Sequence, residues 1–267
     1  MRICINSLIS QDYIVMRAEE KKDSEPWYEK WFGDHYLHVY AHRDEDEAYA
    51  QADLIARLFP PETYPEMLDV CCGEGRYARV FNDKGYSVTG TDLSSQLIQA
   101  AQEKSPETIH YRICDMRDII WRNRFDIAVN LFTSFGYFDD EDQDRNVFKA
   151  VHASLKTGGC FWVDLMNREY IVEHMKPASS RTEGLMTIEE KRSLSPDGKR
   201  IIKDIIICTN EDTHTYRESV RMYTEGEIGG LMEDTGFEVI HTFGDYDGSL
   251  YTKRSPRLIC AGRKKPE

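Results

Sequence analysis

No run in this chain is long and apolar enough to cross a bilayer as a helix, so an integral helical membrane protein is not expected. Internal repeats and low-complexity tracts are also missing, which excludes a solenoid or a flexible polar tail as the main feature. Positive charge is scarce: 34 Lys and Arg stand against 47 Asp and Glu, for a net charge of −13. That field repels phosphate backbones and disfavours a nucleic-acid substrate. The clearest basic concentration is Lys253, Arg254, Arg257 and Arg263-Lys264-Lys265, which reads as a solvated face. The seven cysteines have no metal-type spacing, and no metal is expected. Cys71, Cys72, Cys114, Cys160, Cys208 and Cys260 lie mostly in strand-like segments, as reduced core residues of a cytoplasmic protein would. Strand alternation places the adjacent Cys71 and Cys72 on opposite faces. Met1 to Val15 is a poor signal peptide, with one early Arg and an apolar run that ends near Asp12. It reads as an upstream extension before a start at Met16, a point that the sequence alone leaves open, and residues 1–25 are expected to be mobile.

What is present begins with length and apolar content. At 267 residues, 40% apolar and with fifteen tyrosines, the chain suits one globular domain with an elaboration. Its most informative stretch is Met67-Leu68-Asp69-Val70-Cys71-Cys72-Gly73-Glu74-Gly75-Arg76-Tyr77-Ala78. An apolar run enters a Gly-x-Gly turn, and the amphipathic pattern Tyr77, Ala78, Val80, Phe81 follows. This is strand, tight turn, helix. The glycines let backbone approach a ligand closely, and the amides at Glu74 to Tyr77 are expected to face it.

Gly73 to Ala78 also fits the dinucleotide fingerprint, a weak match by itself. Asp69 argues against that ligand, because an acid inside an apolar strand suits a molecule that carries an ammonium group. Asp92 ends a second strand, Tyr86 to Asp92, before a helix start at Ser94, where a carboxylate can accept from both ribose hydroxyls. Asp115 ends a third, after Tyr111-Arg112-Ile113-Cys114, and can accept from an adenine amine. Each acid is common alone; the three together are not.

This pattern resembles the class I S-adenosylmethionine-dependent methyltransferases. The resemblance rests on Leu68 to Gly75, on Asp92, on Cys114-Asp115-Met116, on Phe125 to Tyr137 and on the Leu155-Lys156-Thr157-Gly158-Gly159 turn into Cys160 to Asp164. It covers about residues 45 to 265, and there are two departures. Cys71 stands where many relatives have the first glycine of the motif, and Asn130 where many have Asp. The resemblance implies an α/β fold: a Rossmann-like seven-stranded methyltransferase sheet with a small inserted antiparallel β cap. It implies S-adenosyl-L-methionine as cofactor, held by Asp69, Gly73, Gly75, Asp92, Leu93, Asp115 and Met116. Asn130 and Phe132 are expected to line it where substrate enters.

Strand and helix alternate from Met67 to Leu165, with helices expected near 74–84, 94–104 and 142–155. Before them, Asp44 to Leu58 reads as an amphipathic helix stopped by Pro60-Pro61. After Asn167, Leu185 to Ser193, Arg200 to Cys208 and Thr213 to Tyr223 read as three antiparallel strands. A helix from Thr224 to Thr235 and two final strands follow. The expected division is 1–44, an N-terminal extension and aromatic lid; 45–166, the cofactor-binding core; 167–223, the inserted cap; and 224–267, the end of the core.

Two segments are expected to cover the ligand: the cap, and the aromatic stretch Trp27, Tyr28, Trp31, Phe32, Tyr36, Tyr40. Tyr36 and Tyr40 either close over the methionine end of the cofactor or pack as ordinary core aromatics, and both readings stay open. Methyl transfer needs alignment and water exclusion more than acid–base work, so no catalytic residue is assigned. His214, Glu218, Tyr223, His241, Asp245 and Asp247 are the places to look for a base, and Phe243 to Ser249 for a substrate-facing loop. Arg217 and Arg221 add positive charge that could hold an acidic acceptor, though a solvated strand face is the plainer reading. The expected function is transfer of a methyl group to an N or O nucleophile of a small molecule. An NAD(P)-dependent oxidoreductase and a catalytically silent S-adenosylmethionine-binding protein are the alternatives.

Overall fold

The computed structural model describes residues 25–40 and 45–266. The readings of Met1 to Val15, of a start at Met16, of mobility in residues 1–24 and of Asp44 lie outside these.

Helix α1 (Trp27–Trp31) and α2 (Asp34–Val39) open the described chain, and α3 (Glu45–Leu58) leads into strand β1 (Glu66–Val70). Then come α4 (Arg76–Asp83), β2 (Ser87–Asp92), α5 (Ser95–Lys104), β3 (His110–Ile113) and β4 (Phe125–Asn130). Helix α6 (Glu141–Ser154) precedes β5 (Leu155–Met166). The main sheet is completed by β10 (Phe237–Phe243) and β11 (Arg257–Lys264), after α8 (Glu225–Asp234).

Its seven strands run β10-β11-β5-β4-β1-β2-β3. Strands β1 to β5 pair in parallel, while β11 is antiparallel to both β5 and β10. The central strands are apolar on both faces. Leu68, Ala128, Phe161 and Cys260 bury into one core, and their neighbours Met67, Ile127, Trp162 and Ile259 into the other. Helices must therefore cover both sides, and parallel pairing follows. Strand order reverses between β1 and β4, so the carboxyl ends there form the crevice in which such sheets bind ligands. The Gly158-Gly159 turn is absorbed into β5: Phe125 pairs Leu155 and Ile127 pairs Cys160, so the residues between bulge outward, with Gly158 at φ 77.

The insert is a separate sheet of four strands, not three. Strands β6 (Ala178–Glu183), β7 (Met186–Leu194), β8 (Arg200–Cys208) and β9 (Thr213–Arg221) pair antiparallel in that order. The extra strand, Ala-Ser-Ser-Arg-Thr-Glu, is an exposed edge without apolar alternation, so it carries no pattern to find. A short helix α7 (Arg168–His174) before it has no buried residue and was equally hidden. Arg200 fastens this sheet to the core. Its guanidinium donates to the Phe138 carbonyl at 2.8 Å and, at 3.2 Å each, to those of Gly136 and Tyr137. The Arg221 N–H donates to Gly136 O at 2.7 Å.

Candidate active site

A cavity of about 690 Å³ sits at the carboxyl ends of β1, β2 and β4, beneath α1, α2 and β9. The turn after β1 forms its floor. Cys71, Gly73 and Gly75 all take positive φ, at 62, 56 and 78°. The two glycines have different reasons. A Cβ on Gly75 would overlap the Tyr111 hydroxyl, whereas one on Gly73 would meet no heavy atom within 4 Å and enter open space beside the cavity. The Gly75 amide donates to Cys72 O at 3.0 Å and so does not face a ligand, unlike the amides the sequence pattern predicts there. Cys71 and Cys72 both border the cavity, and burial, with Asp69 and Asp92 beside them, pushes both thiols well up. They are not thiolates.

The three acids all line this cavity in different electrostatic states. Asp69 is 2% exposed, and its Oδ2 has no hydrogen-bond partner among the described residues. Burial, then the charge of Asp92, pushes its carboxyl up to about 7. Asp92 accepts from the Gly73 N–H at 3.0 Å and the Ser94 N–H at 2.9 Å. Burial still lifts it above the usual range, against the backbone N–H groups that pull it down. Asp115 is pushed up by burial too, but Arg117 outweighs this and holds it low, donating from its backbone at 2.8 Å and from Nε at 2.9 Å. Leu93 and Met116 flank the acids on the wall, with Leu93 38% exposed.

Phe132 and Thr133, after β4, take φ 58 and 62°. Two consecutive non-glycine residues in the left-handed region cost about 1–2 kcal/mol each and need restraint from elsewhere. Asp164 of β5 supplies it. Its Oδ2 accepts from the Phe132 N–H at 2.9 Å and the Tyr246 hydroxyl at 2.5 Å, and its backbone carbonyl accepts from the Thr133 N–H at 3.0 Å. Arg257 of β11 donates from Nε to Asp164 Oδ1 at 2.8 Å and from Nη2 to Thr133 Oγ1, also at 2.8 Å. Asp164 is fully buried, and Arg257 reaches the cavity wall. This network holds a strained loop against the site. The sequence places Arg257 on a solvated face and Tyr246 in a substrate-facing loop, whereas both pair with the buried Asp164, a joint role hidden because the partners in this network lie 32 to 124 residues apart.

Asn130 lies behind the wall, not on it. Its Nδ2 donates to Val70 O and Ser134 O, each at 3.2 Å, which ties the end of β1 to the loop after β4. Phe132 does line the cavity, with the Arg76 guanidinium 5.5 Å from its ring centre.

The roof is aromatic. Trp27, Tyr28, Phe32, Tyr36 and Tyr40 from the N-terminal helices and Tyr137 from the core all border the cavity. Tyr36 and Tyr40 also pack against the cap's own core, so the two readings of them are compatible. Of the sequence-suggested bases, only Glu218 lines the cavity. Tyr223 is buried against Asp144 at 2.5 Å, His214 lies tilted against His35 with ring centres 4.2 Å apart, and His241 packs on Phe243. Asp245 and Asp247 lie off the wall, and from their loop it is Tyr246 that matters. Arg217 pairs with Asp204 at 2.6 Å and Arg221 with Glu141 at 2.5 Å, both away from the cavity.

Residues 67–159 match a family model described as a methyltransferase domain. The putative methyltransferase YqeM of Bacillus subtilis (strain 168) is 26% identical over 207 residues, covering 74% of this chain and 83% of that one. Among solved structures, the CcbJ methyltransferase from Streptomyces caelestis is similar with a TM-score of 0.75 at 16% identity, over 88% of this chain and 98% of that one. The S-adenosylmethionine-bound CalS10, an amino pentose methyltransferase from Micromonospora echinaspora, is similar with a TM-score of 0.64 at 20% identity, over 87% and 97%. At these identities the two structures speak for the fold.

Proposed function

Since the chain is a class I S-adenosylmethionine-dependent methyltransferase, we propose that it methylates an N or O nucleophile on a small molecule inside the covered cavity. The cofactor supplies an activated methyl group on sulfur. The chain would hold it as follows. Asp69 Oδ2, buried and unpartnered, fits the ammonium of the methionine end, since a buried lone acceptor is costly until a donor reaches it. Asp92 keeps lone pairs for the ribose hydroxyls, and Leu93, Asp115 and Met116 stand where the adenine would lie. Gly73 leaves room for close approach, and Gly75 shapes the turn beneath. Phe132 and Tyr40 would border the methionine end, with Asn130 supporting them from behind.

The acceptor would then approach under the roof formed by α1, α2 and β9, which limits the access of water. The single observation behind the small-molecule reading is this roof: an aromatic lid and an inserted sheet partly cover a cavity of about 690 Å³. CalS10, an amino pentose methyltransferase, has the same fold and supports a small acceptor as the first class to try. The division into lid (1–44), core (45–166 and 224–267) and cap (167–223) belongs to this proposal. Incubation with S-adenosylmethionine and panels of amines, alcohols and acids tests it, with S-adenosylhomocysteine release as the signal. Turnover on macromolecules and on no small molecule would overturn the acceptor class.

A further inference from the structure

The inner face of the cap holds a charge cluster that folding does not require. Pairing across β7, β8 and β9 sets Ile188 beside Ile207, Glu190 beside Ile205 and Ile205 beside Tyr216, and Arg192 beside Lys203 and Lys203 beside Glu218. Ile188, Ile205 and Ile207 are fully buried with Trp31 and Val39, so this face is the cap's own core. Into it project Glu190, 5% exposed, and the pair Lys203–Glu218, with nitrogen and oxygen 2.6 Å apart. Burying charges on a face that isoleucines could fill carries a desolvation cost, so their placement asks for a role.

Lys203 and Glu218 are also the cap's charged contribution to the cavity wall. Glu218 is held in place from three sides: Trp31 Nε1 donates to its Oε1 at 2.6 Å, the Tyr40 hydroxyl to the same oxygen at 3.3 Å, and Lys203 to Oε2. A carboxylate offers about four lone pairs, so one on Oε2 is left. The same cavity wall carries the rings of Trp27, Tyr28, Phe32, Tyr36, Tyr40 and Tyr137. Aromatic faces with a carboxylate lone pair among them favour an N–H-bearing cation. Lys203 and Glu218 together carry no net charge, so the preference comes from the rings and from the lone pair that Lys203 leaves on Oε2. Lys203 also faces Glu190, which burial pushes up but which Lys203, Ser179 and Arg192 together hold low.

We propose that Glu218, fixed by Trp31 and Lys203, is the residue that selects the methyl acceptor, and that the acceptor is an amine, held through an N–H to the carboxylate within the aromatic roof. An ammonium that binds there gives one proton to solvent, and the freed nitrogen lone pair forms the N–C bond as the C–S bond of the cofactor breaks and S-adenosylhomocysteine leaves. The inference rests on the small-molecule reading above and narrows it to nitrogen.

The test uses the intact protein saturated with S-adenosylhomocysteine and three probes of one skeleton: cyclohexylmethylamine, cyclohexylmethanol and cyclohexanecarboxylate. Binding is followed by tryptophan fluorescence, since Trp27 and Trp31 lie at the site. The amine is expected to bind at least about tenfold more tightly than the other two. Glu218→Gln, which keeps an acceptor for Trp31, should bring the amine to the level of the alcohol while leaving S-adenosylhomocysteine affinity unchanged. Alcohol or acid binding as tightly as the amine, or equal amine affinity in Glu218→Gln, overturns the amine assignment alone. Binding of none of the probes overturns the amine assignment, while the small-molecule reading stands or falls separately on turnover in the panel above.

Discussion

The ionisation of Asp69 gives the sharpest quantitative consequence of this site. Its carboxyl lies up at about 7, because burial and the Asp92 charge oppose ionisation. An ammonium seated on Oδ2 needs the ionised form, so a ligand carrying one pulls a proton off the protein as it binds. At pH 6 about one tenth of the free protein has Asp69 ionised, and at pH 8 about nine tenths, so apparent affinity should rise about tenfold between them. That is about 1.4 kcal/mol. Proton release should be close to one per site at pH 6 and fall towards zero at pH 8. Titration calorimetry with S-adenosylhomocysteine, in buffers of different ionisation enthalpy, reads both quantities. Asp69→Asn should bind weakly with a flat profile, which separates this carboxyl from any titration of the ligand. A wild-type affinity level from pH 6 to 8, or the same slope in Asp69→Asn, would refute the reasoning.

Other outcomes follow from the same geometry. In the ligand-free protein the folded state holds the Asp69 proton more tightly than the unfolded chain does. Its burial therefore costs nothing below about pH 4, and the cost grows as pH rises to about 7 and stays above it. Asp69→Asn should accordingly raise the melting temperature at pH 8 and leave it unchanged at pH 4, by thermal denaturation. Gly73→Ala, at φ 56 with open space around its Cβ, should cost about 1 kcal/mol of stability but most of the cofactor affinity. Gly75→Ala should cost more stability through Tyr111, and Tyr111→Phe should recover part of it, by urea unfolding. Arg257→Met should cost about 3–5 kcal/mol in urea unfolding, because it leaves the buried Asp164 charge unpaired. Asp164→Asn in the same background should recover part of that loss.

How much of this was legible in the sequence depends on range. The β1 turn and Asp92 were readable because each is a local pattern, an apolar strand that runs into a glycine turn or ends in an acid. The helices 76–83, 95–104 and 141–154 fell within about two residues of expectation for the same reason. Asp115 lies two residues past the mostly exposed β3, which ends at Ile113 and not at the acid. Strand β6 and helix α7 were invisible because an exposed edge strand and an unburied helix need no apolar period. Asp164, Tyr246 and Arg257 act through a tertiary network, which no spacing encodes. Lys203 did leave a signal that went unused: a lone cation at an inward position of an isoleucine-rich strand. Asn130 shows the opposite case, a motif position placed on the wall by resemblance and found to brace it from behind.

The central claim is that three carboxylates around one glycine turn hold S-adenosylmethionine. Isothermal titration of the purified chain with that cofactor tests it directly. One molecule bound per chain is predicted, with affinity falling at least about tenfold in Asp92→Ala, where two ribose hydrogen bonds are lost. No binding heat in the wild type, or undiminished affinity in Asp92→Ala, would contradict it.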